Sequence, residues 1–157
     1  MLELEKNNLT REIEEFALAY ENNRTALMPL LEYIQSKYHH IPDFAQQEVA
    51  RVLDIHPVEV YGVVSFYSFL NDQPKGRNIV RLCKTIVCDM GGKCAIEKAI
   101  ERELKMKFGE TSPDMKITLE FTNCLGMCDQ GPAMIVNDRV YTRLDPEKAC
   151  AIVREIK

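Results

Sequence analysis

The sequence predicts an α/β chain in two parts: an N-terminal helical bundle, residues 1–74, followed by an α/β sandwich, residues 75–157. Three observations predict it. Apolar residues up to about residue 70 recur at helical spacing. The polar stretch "NDQPKGRN", Asn71–Asn78, carries both Pro and Gly and reads as a boundary. Beyond it, short alternating runs interleave with two helical stretches.

Taken in order, "LTREIEEFALAYE" starts a helix with Thr10 as N-cap and places Ile13, Phe16, Ala17 and Tyr20 at helical spacing. Thr25 is the expected cap of a second helix, with Leu27, Leu30, Leu31 and Ile34 inward and Pro29 in the tolerant first turn. Asp43 is the expected cap of a third, burying Phe44, Val49, Val52 and Leu53. A fourth starts at Pro57 in "HPVEVYGVVSFYSFL". In the second part "NIVRLCK" and "KITLEFTN" alternate as strands, and "GGKCAIEKAIERELKMK" between them is helical, with Ile96, Ala99, Ile100 and Leu104 on one face. "AMIVND" and "RVYTRL" predict a hairpin around Asn137 and Asp138. A last helix starts at Asp145–Pro146, giving the order β-α-β-β-β-α, or β-α-β-β-α with one strand counted loosely.

Of the 157 residues, 46% are hydrophobic and 28% charged, the balance of a soluble globular protein. A formal charge of −4 argues against a polyanion binder. The start, "MLELEKNNLTREIEE", resembles neither a signal peptide nor a basic transit helix. The longest predominantly apolar run, Val60–Leu70, is too short to span a bilayer. The expectation is a cytoplasmic chain without direct membrane insertion.

Six cysteines in a reducing compartment point to metal binding or redox chemistry rather than structural disulfides. Cys83 ends the first strand and Cys88 follows after four residues ("CKTIVC"); Cys124 ends the second strand and Cys128 follows after three ("CLGMC"), so each pair is expected in a loop directly after a strand. Loops leaving the same end of a sheet converge, so four thiolates would meet at one place. A 2Fe-2S cluster takes four cysteine thiolates, two per iron. Its negative charge calls for nearby backbone N–H groups, and Gly91, Gly92, Gly126 and Gly131 let the backbone approach. Independent buried thiols, a structural zinc site and a dithiol–disulfide pair are the competing readings. Cys94, in the first turn of the following helix, reads as a bystander, a spare ligand or a reactive thiol, and Cys150 as packing. Lys84 and Lys93 add positive charge beside the cysteines.

With these residues in view the chain resembles the thioredoxin-like 2Fe-2S subunit family of complex I type NADH dehydrogenases, a module also found in NAD-linked and electron-bifurcating hydrogenases, formate dehydrogenases and transhydrogenases. The resemblance rests on "IPDFAQQEVARVLDIHPVEVYGVVSFYSF", with Tyr61, Gly62, Phe66 and Tyr67, and on Cys83, Cys88, "GGK", "CLGMC" and Pro132. It implies a thioredoxin-like α/β domain carrying one 2Fe-2S cluster on Cys83, Cys88, Cys124 and Cys128. It implies a non-catalytic electron-transfer subunit, partnered by an NADH-binding FMN flavoprotein subunit and further iron–sulfur subunits. The helical part would be the docking domain. The sequence departs from the family at Lys84, Thr85, Ile86 and Val87, where small residues are usual. Met115 and Gly131 stand where Gly and Ala are common.

The rival class is an iron-free cytosolic thiol-redox or zinc-binding adaptor. The stretch 42–70 also has the outline of a helix-turn-helix, but it carries Asp43, Glu48, Asp54 and Glu59 against Arg51 alone, a poor complement for phosphate. No G-x-G-x-x-G follows a strand and "GGK" is not a P-loop, so hydride chemistry is expected on another chain. His39, His40 and His56 sit near Pro-containing turns and read as surface or cap residues.

Overall fold

The computed structural model describes residues 3–156; Met1, Leu2 and Lys157, which the domain bounds above include, lie outside the described residues. The chain divides into two compact units, Met1–Pro74 and Lys75–Lys157.

The first unit holds α1 (Glu3–Leu18), a 3-10 turn (Arg24–Ala26), α2 (Leu27–Tyr38), α3 (Asp43–Val52) and α4 (Pro57–Phe66). Leu9, Ile13 and Ala17 form one fully buried stripe of α1 at four-residue spacing. That stripe carries the helix back through Thr10, which is therefore interior and not a cap. Leu27, Leu30, Leu31 and Ile34 of α2 are buried as expected. Asn23 does the capping assigned to Thr25: its side chain accepts the Thr25 N–H at 3.3 Å, and the 3-10 turn leads directly into α2. Asp43 is the first residue of α3 and Pro42 holds the cap position. The inward stripe of α3 is Ala45, Val49 and Ala50 with Leu53 beyond it, while Phe44 and Val52 are only partly buried. His56 caps α4 by accepting the Val58 N–H, and Glu59 reaches back to the His56 N–H, a reciprocal capping box ahead of Pro57.

The boundary stretch is divided between the units. Asn71 is bound into the first: its carbonyl accepts the Ile41 N–H at 2.7 Å and its N–H donates to Gln35 Oε1 at 2.7 Å. Arg77 and Asn78 already donate to Met115 and Lys116 carbonyls at the start of the second.

The second unit contains β1 (Asn78–Cys83), α5 (Ile86–Met90), α6 (Lys93–Leu104), β2 (Ile117–Thr122), β3 (Met134–Val136), β4 (Arg139–Tyr141) and α7 (Pro146–Glu155). The sheet order is β2-β1-β3-β4, with β1 and β2 parallel and the remaining pairs antiparallel. This is the predicted order with one addition, the short α5. Val80, Leu82, Ile117, Leu119, Met134 and Val136 line one face of the sheet and pack with Ile96, Ile100, Ala149 and Val153 of α6 and α7. Each Val, Leu, Ile or Met side chain among them contributes about 1.5–3 kcal/mol when fully buried. Among the alternate positions Arg81 and Glu120 are cross-strand partners joined at 3.0 Å, and Lys75 meets the same carboxylate at 2.6 Å. Asn137 and Asp138 make the predicted hairpin turn, and Asp145 accepts the Lys148 N–H as N-cap of α7. No helix among the described residues is long and apolar enough to cross a membrane.

Candidate metal centre

Parallel pairing of β1 with β2 requires a crossover, and α6 lies on it. The two strands therefore end side by side, with Cys83 in register with Thr122. Cys83 is the last residue of β1 and 1% exposed; Cys88 lies in α5 and is 2% exposed. Cys88 is thus helical, not in an open loop as expected. Cys124 does not end the second strand either, because β2 stops at Thr122 and Cys124 follows in the loop. Cys128 opens a 3-10 turn, Cys128–Gln130. Cys124 and Cys128 are exposed, and all of these cysteines are free thiols.

The sulfurs stand as two pairs. Cys124 Sγ and Cys128 Sγ are 3.1 Å apart. Cys83 and Cys88 lie near enough for each to shift the other's ionisation, and the charges of both act on Cys128. Among the described residues no three His, Cys, Asp or Glu side chains gather around a single ion position. A zinc site would need four ligands on one ion, whereas a binuclear cluster needs one thiolate pair per iron. The donor set fits the second case: four thiols supported by backbone N–H groups, a soft ligand field.

Burial opposes ionisation of Cys83, but hydrogen bonds from the Thr85 hydroxyl and N–H, from Cys88 and from the Leu125 N–H outweigh it and hold this thiol below its ordinary range. Burial pushes the Cys88 thiol up, helped by the adjoining Cys83 and opposed by the Ala133 N–H. Cys128 is pushed up by the proton it shares with Cys124, then by desolvation and by the charges of Cys124, Cys88 and Cys83. Four such thiolates repel one another, so full ionisation calls for a cation between them. Gly126, inside the second pair's loop, adopts φ +78°, and its N–H donates to Cys124 Sγ at 3.4 Å.

Cys94 is exposed and its thiol faces Asp89 Oδ1 at 3.4 Å; Cys150 is half-buried in α7. Lys84 is exposed. Lys93 is largely buried, paired with Asp89 and Glu97 at 3.4 Å each and lying 5.3 Å from the centre of the Phe121 ring, so its charge is compensated locally. Sequence reasoning missed Thr85. A hydroxyl residue between two candidate ligand cysteines, at the start of a helix, was the available signal.

Residues 13–157 match the family model described as thioredoxin-like 2Fe-2S ferredoxin. The chain is 38% identical to an NADH-quinone oxidoreductase subunit from Buchnera aphidicola subsp. Acyrthosiphon pisum, over 88% of this chain and 85% of that protein. It is 36% identical to the alpha subunit of the NAD-reducing hydrogenase HoxS of Cupriavidus necator over 88% of its own length, but spans only 23% of that protein. A solved NAD+-reducing NiFe hydrogenase shares the fold, with a TM-score of 0.73 and 24% identity over 83% of this chain and 22% of the solved one.

Proposed function

The chain belongs to the thioredoxin-like 2Fe-2S ferredoxin family, and from that premise we propose that it is a one-electron relay, a non-catalytic subunit of a multisubunit NAD(P)H-linked flavoprotein oxidoreductase. The observation that carries this reading is the meeting of two thiol pairs beyond the adjacent C-terminal ends of β1 and β2. In this reading Cys83, Cys88, Cys124 and Cys128 hold the cluster. A 2Fe-2S cluster, when bound, supplies a centre that takes and returns single electrons.

The chain's own residues shape the two sides of that centre differently. Cys83 and Cys88 keep one side dry, and the N–H groups of Thr85, Leu125 and Ala133 oppose the negative charge there. Cys124 and Cys128 leave the other side open, the side from which electrons would enter and leave. Beside the cysteines, α5 turns Ile86 (68% exposed) and Met90 (83% exposed) to solvent, an apolar rim suited to a partner protein. In the helical unit, α4 exposes Val58, Tyr61 and Phe66, and this supports its role as a docking domain. The partners in this reading are an NADH-binding FMN flavoprotein subunit and further iron–sulfur subunits, and the compartment is the cytoplasm. Hydride chemistry belongs to the flavoprotein, because a flavin splits the electron pair and the chain carries no dinucleotide motif.

The test is anaerobic. Purified, cluster-loaded chain is mixed with NADH, with and without the flavoprotein subunit, and the visible absorbance is followed. Bleaching is expected only with the flavoprotein. Bleaching by NADH alone would defeat the relay reading, and a chain that takes up neither iron nor sulfide would favour the iron-free adaptor.

A further inference from the structure

Thr85 sits at the N-cap of α5, where a Thr hydroxyl ordinarily accepts a backbone N–H of the first turn. Here it makes no such bond. Its Oγ1 lies instead 3.1 Å from Cys83 Sγ. The helix still closes through the backbone, since the Asp89 N–H donates to the Thr85 carbonyl at 3.0 Å. The side chain has left its local role and serves the thiol.

In a thiol either group can donate. A metal-bound thiolate has no proton, so the hydroxyl must then be the donor. Cys83 is also the least solvated of the four cysteines, at 1% exposure. Water does not offset charge on its sulfur as it does at exposed Cys124 and Cys128, and a fixed donor counts for more in such surroundings.

We infer that Thr85 is a positioning residue that sets the reduction potential of the centre through its hydroxyl bond to Cys83. The inference rests on the proposed ligand role of Cys83. A donor on the sulfur draws charge away from it and favours the state carrying the extra electron, so the bond raises the potential.

The experiment uses the full chain reconstituted with iron and sulfide, in wild-type form and as Thr85→Val, Thr85→Ala and Thr85→Ser. Each is titrated with mediator dyes that deliver one electron, and the visible absorbance is read. Thr85→Val keeps the shape and removes the hydroxyl, and Thr85→Ser keeps the hydroxyl. The expected result is a negative shift for Val and Ala, with Ser close to wild type. Val titrating with wild type overturns the inference, as does Ser shifting as far as Val, which would assign the effect to the methyl group. Should Val and Ala lose the cluster outright, Ser retaining it at the wild-type potential supports the inference, and Ser losing it as well overturns it. Failure of the wild-type chain to take up iron and sulfide would instead defeat the ligand reading, and this inference with it.

Discussion

Cys83 and Thr122 are register partners at the C-terminal ends of two parallel strands. From that pair onward the chain leaves β1 toward Cys88 and leaves β2 toward Cys124 and Cys128. In the proposed reading topology brings the four sulfurs toward one end of the sheet, the pairs coming from segments about forty residues apart in sequence, and neither pair would hold the cluster alone.

Serine at Cys83, Cys88, Cys124 or Cys128 is therefore expected to abolish the cluster or change its spectrum, because each iron needs its thiolate pair. Cys94→Ser and Cys150→Ser should keep it, since Cys94 faces Asp89 and Cys150 lies in α7. Iron and sulfide content and the visible spectrum report the outcome. Normal iron in Cys124→Ser, or loss in Cys94→Ser, would redraw the ligand set.

Elements whose start is written in side chains were legible: His56–Pro57 and Asp145–Pro146 are both helix starts, and Asn137–Asp138 is the hairpin turn. The errors have physical causes. Thr10 has the look of a cap, but Leu9 before it is fully buried and belongs to the same apolar stripe. The five residues of α5 are too few to show a period, and Ile86 and Met90 point outward. Arg81 in "NIVRLC" alternates as an outward residue would, yet it is buried because Glu120 lies opposite it on the neighbouring strand. The cysteine spacing pointed to candidate ligands because metal chemistry restricts residue type; the Thr85 hydroxyl contact with Cys83 was not legible, because Thr at a cap normally bonds the backbone.

Two glycines separate packing from surface function. Gly62 lies within α4, and a Cβ added there meets nothing within 4 Å. Gly in a helix interior costs about 0.5–1 kcal/mol relative to Ala, so Gly62→Ala should raise stability by about that amount in chemical denaturation. If α4 docks a partner, the same change should weaken association. A Cβ at Gly76 would lie 2.7 Å from the Ile117 backbone, and the Gly76 N–H donates to Thr118 Oγ1. Gly76→Ala should destabilise by about 1–3 kcal/mol, the range for overpacking. Equal stability of Gly76→Ala and wild type would contradict this packing.

Asp145 gives a pH signature. Its carboxylate accepts the Lys148 N–H at 2.8 Å, and that bond holds it below the usual carboxylate range. A lowered folded-state pKa means the stabilisation is present above the unfolded carboxylate's pKa and fades as pH falls through the folded value. Asp145→Ala should therefore lower the unfolding midpoint at neutral pH, with a gap to wild type that narrows on acidification. A gap independent of pH would assign the effect to helix propensity instead.

The final prediction concerns the fragment Lys75–Lys157. Its principal core, from Val80 through Ile100 and Leu119 to Val153, is drawn entirely from its own residues, and it holds all four proposed ligands. A domain of about 80 residues buries a modest fraction of its surface and is marginal unless something staples it. The proposed ligands flank the junctions from β1 into α5 and from β2 into the following turn, so binding there ties together segments distant in sequence. Because the unfolded chain does not present this arrangement, binding free energy adds to folding free energy. The fragment should take up iron and sulfide, and it should unfold at distinctly higher denaturant with the cluster than without it. It should also bind the flavoprotein subunit more weakly than the full chain, because the exposed Tyr61 and Phe66 of α4 are absent. Iron analysis, denaturation followed by circular dichroism, and a binding titration measure the three effects separately. A fragment that holds no iron would show that the helical unit is needed to complete the centre, and full affinity for the flavoprotein would remove docking from that unit's role.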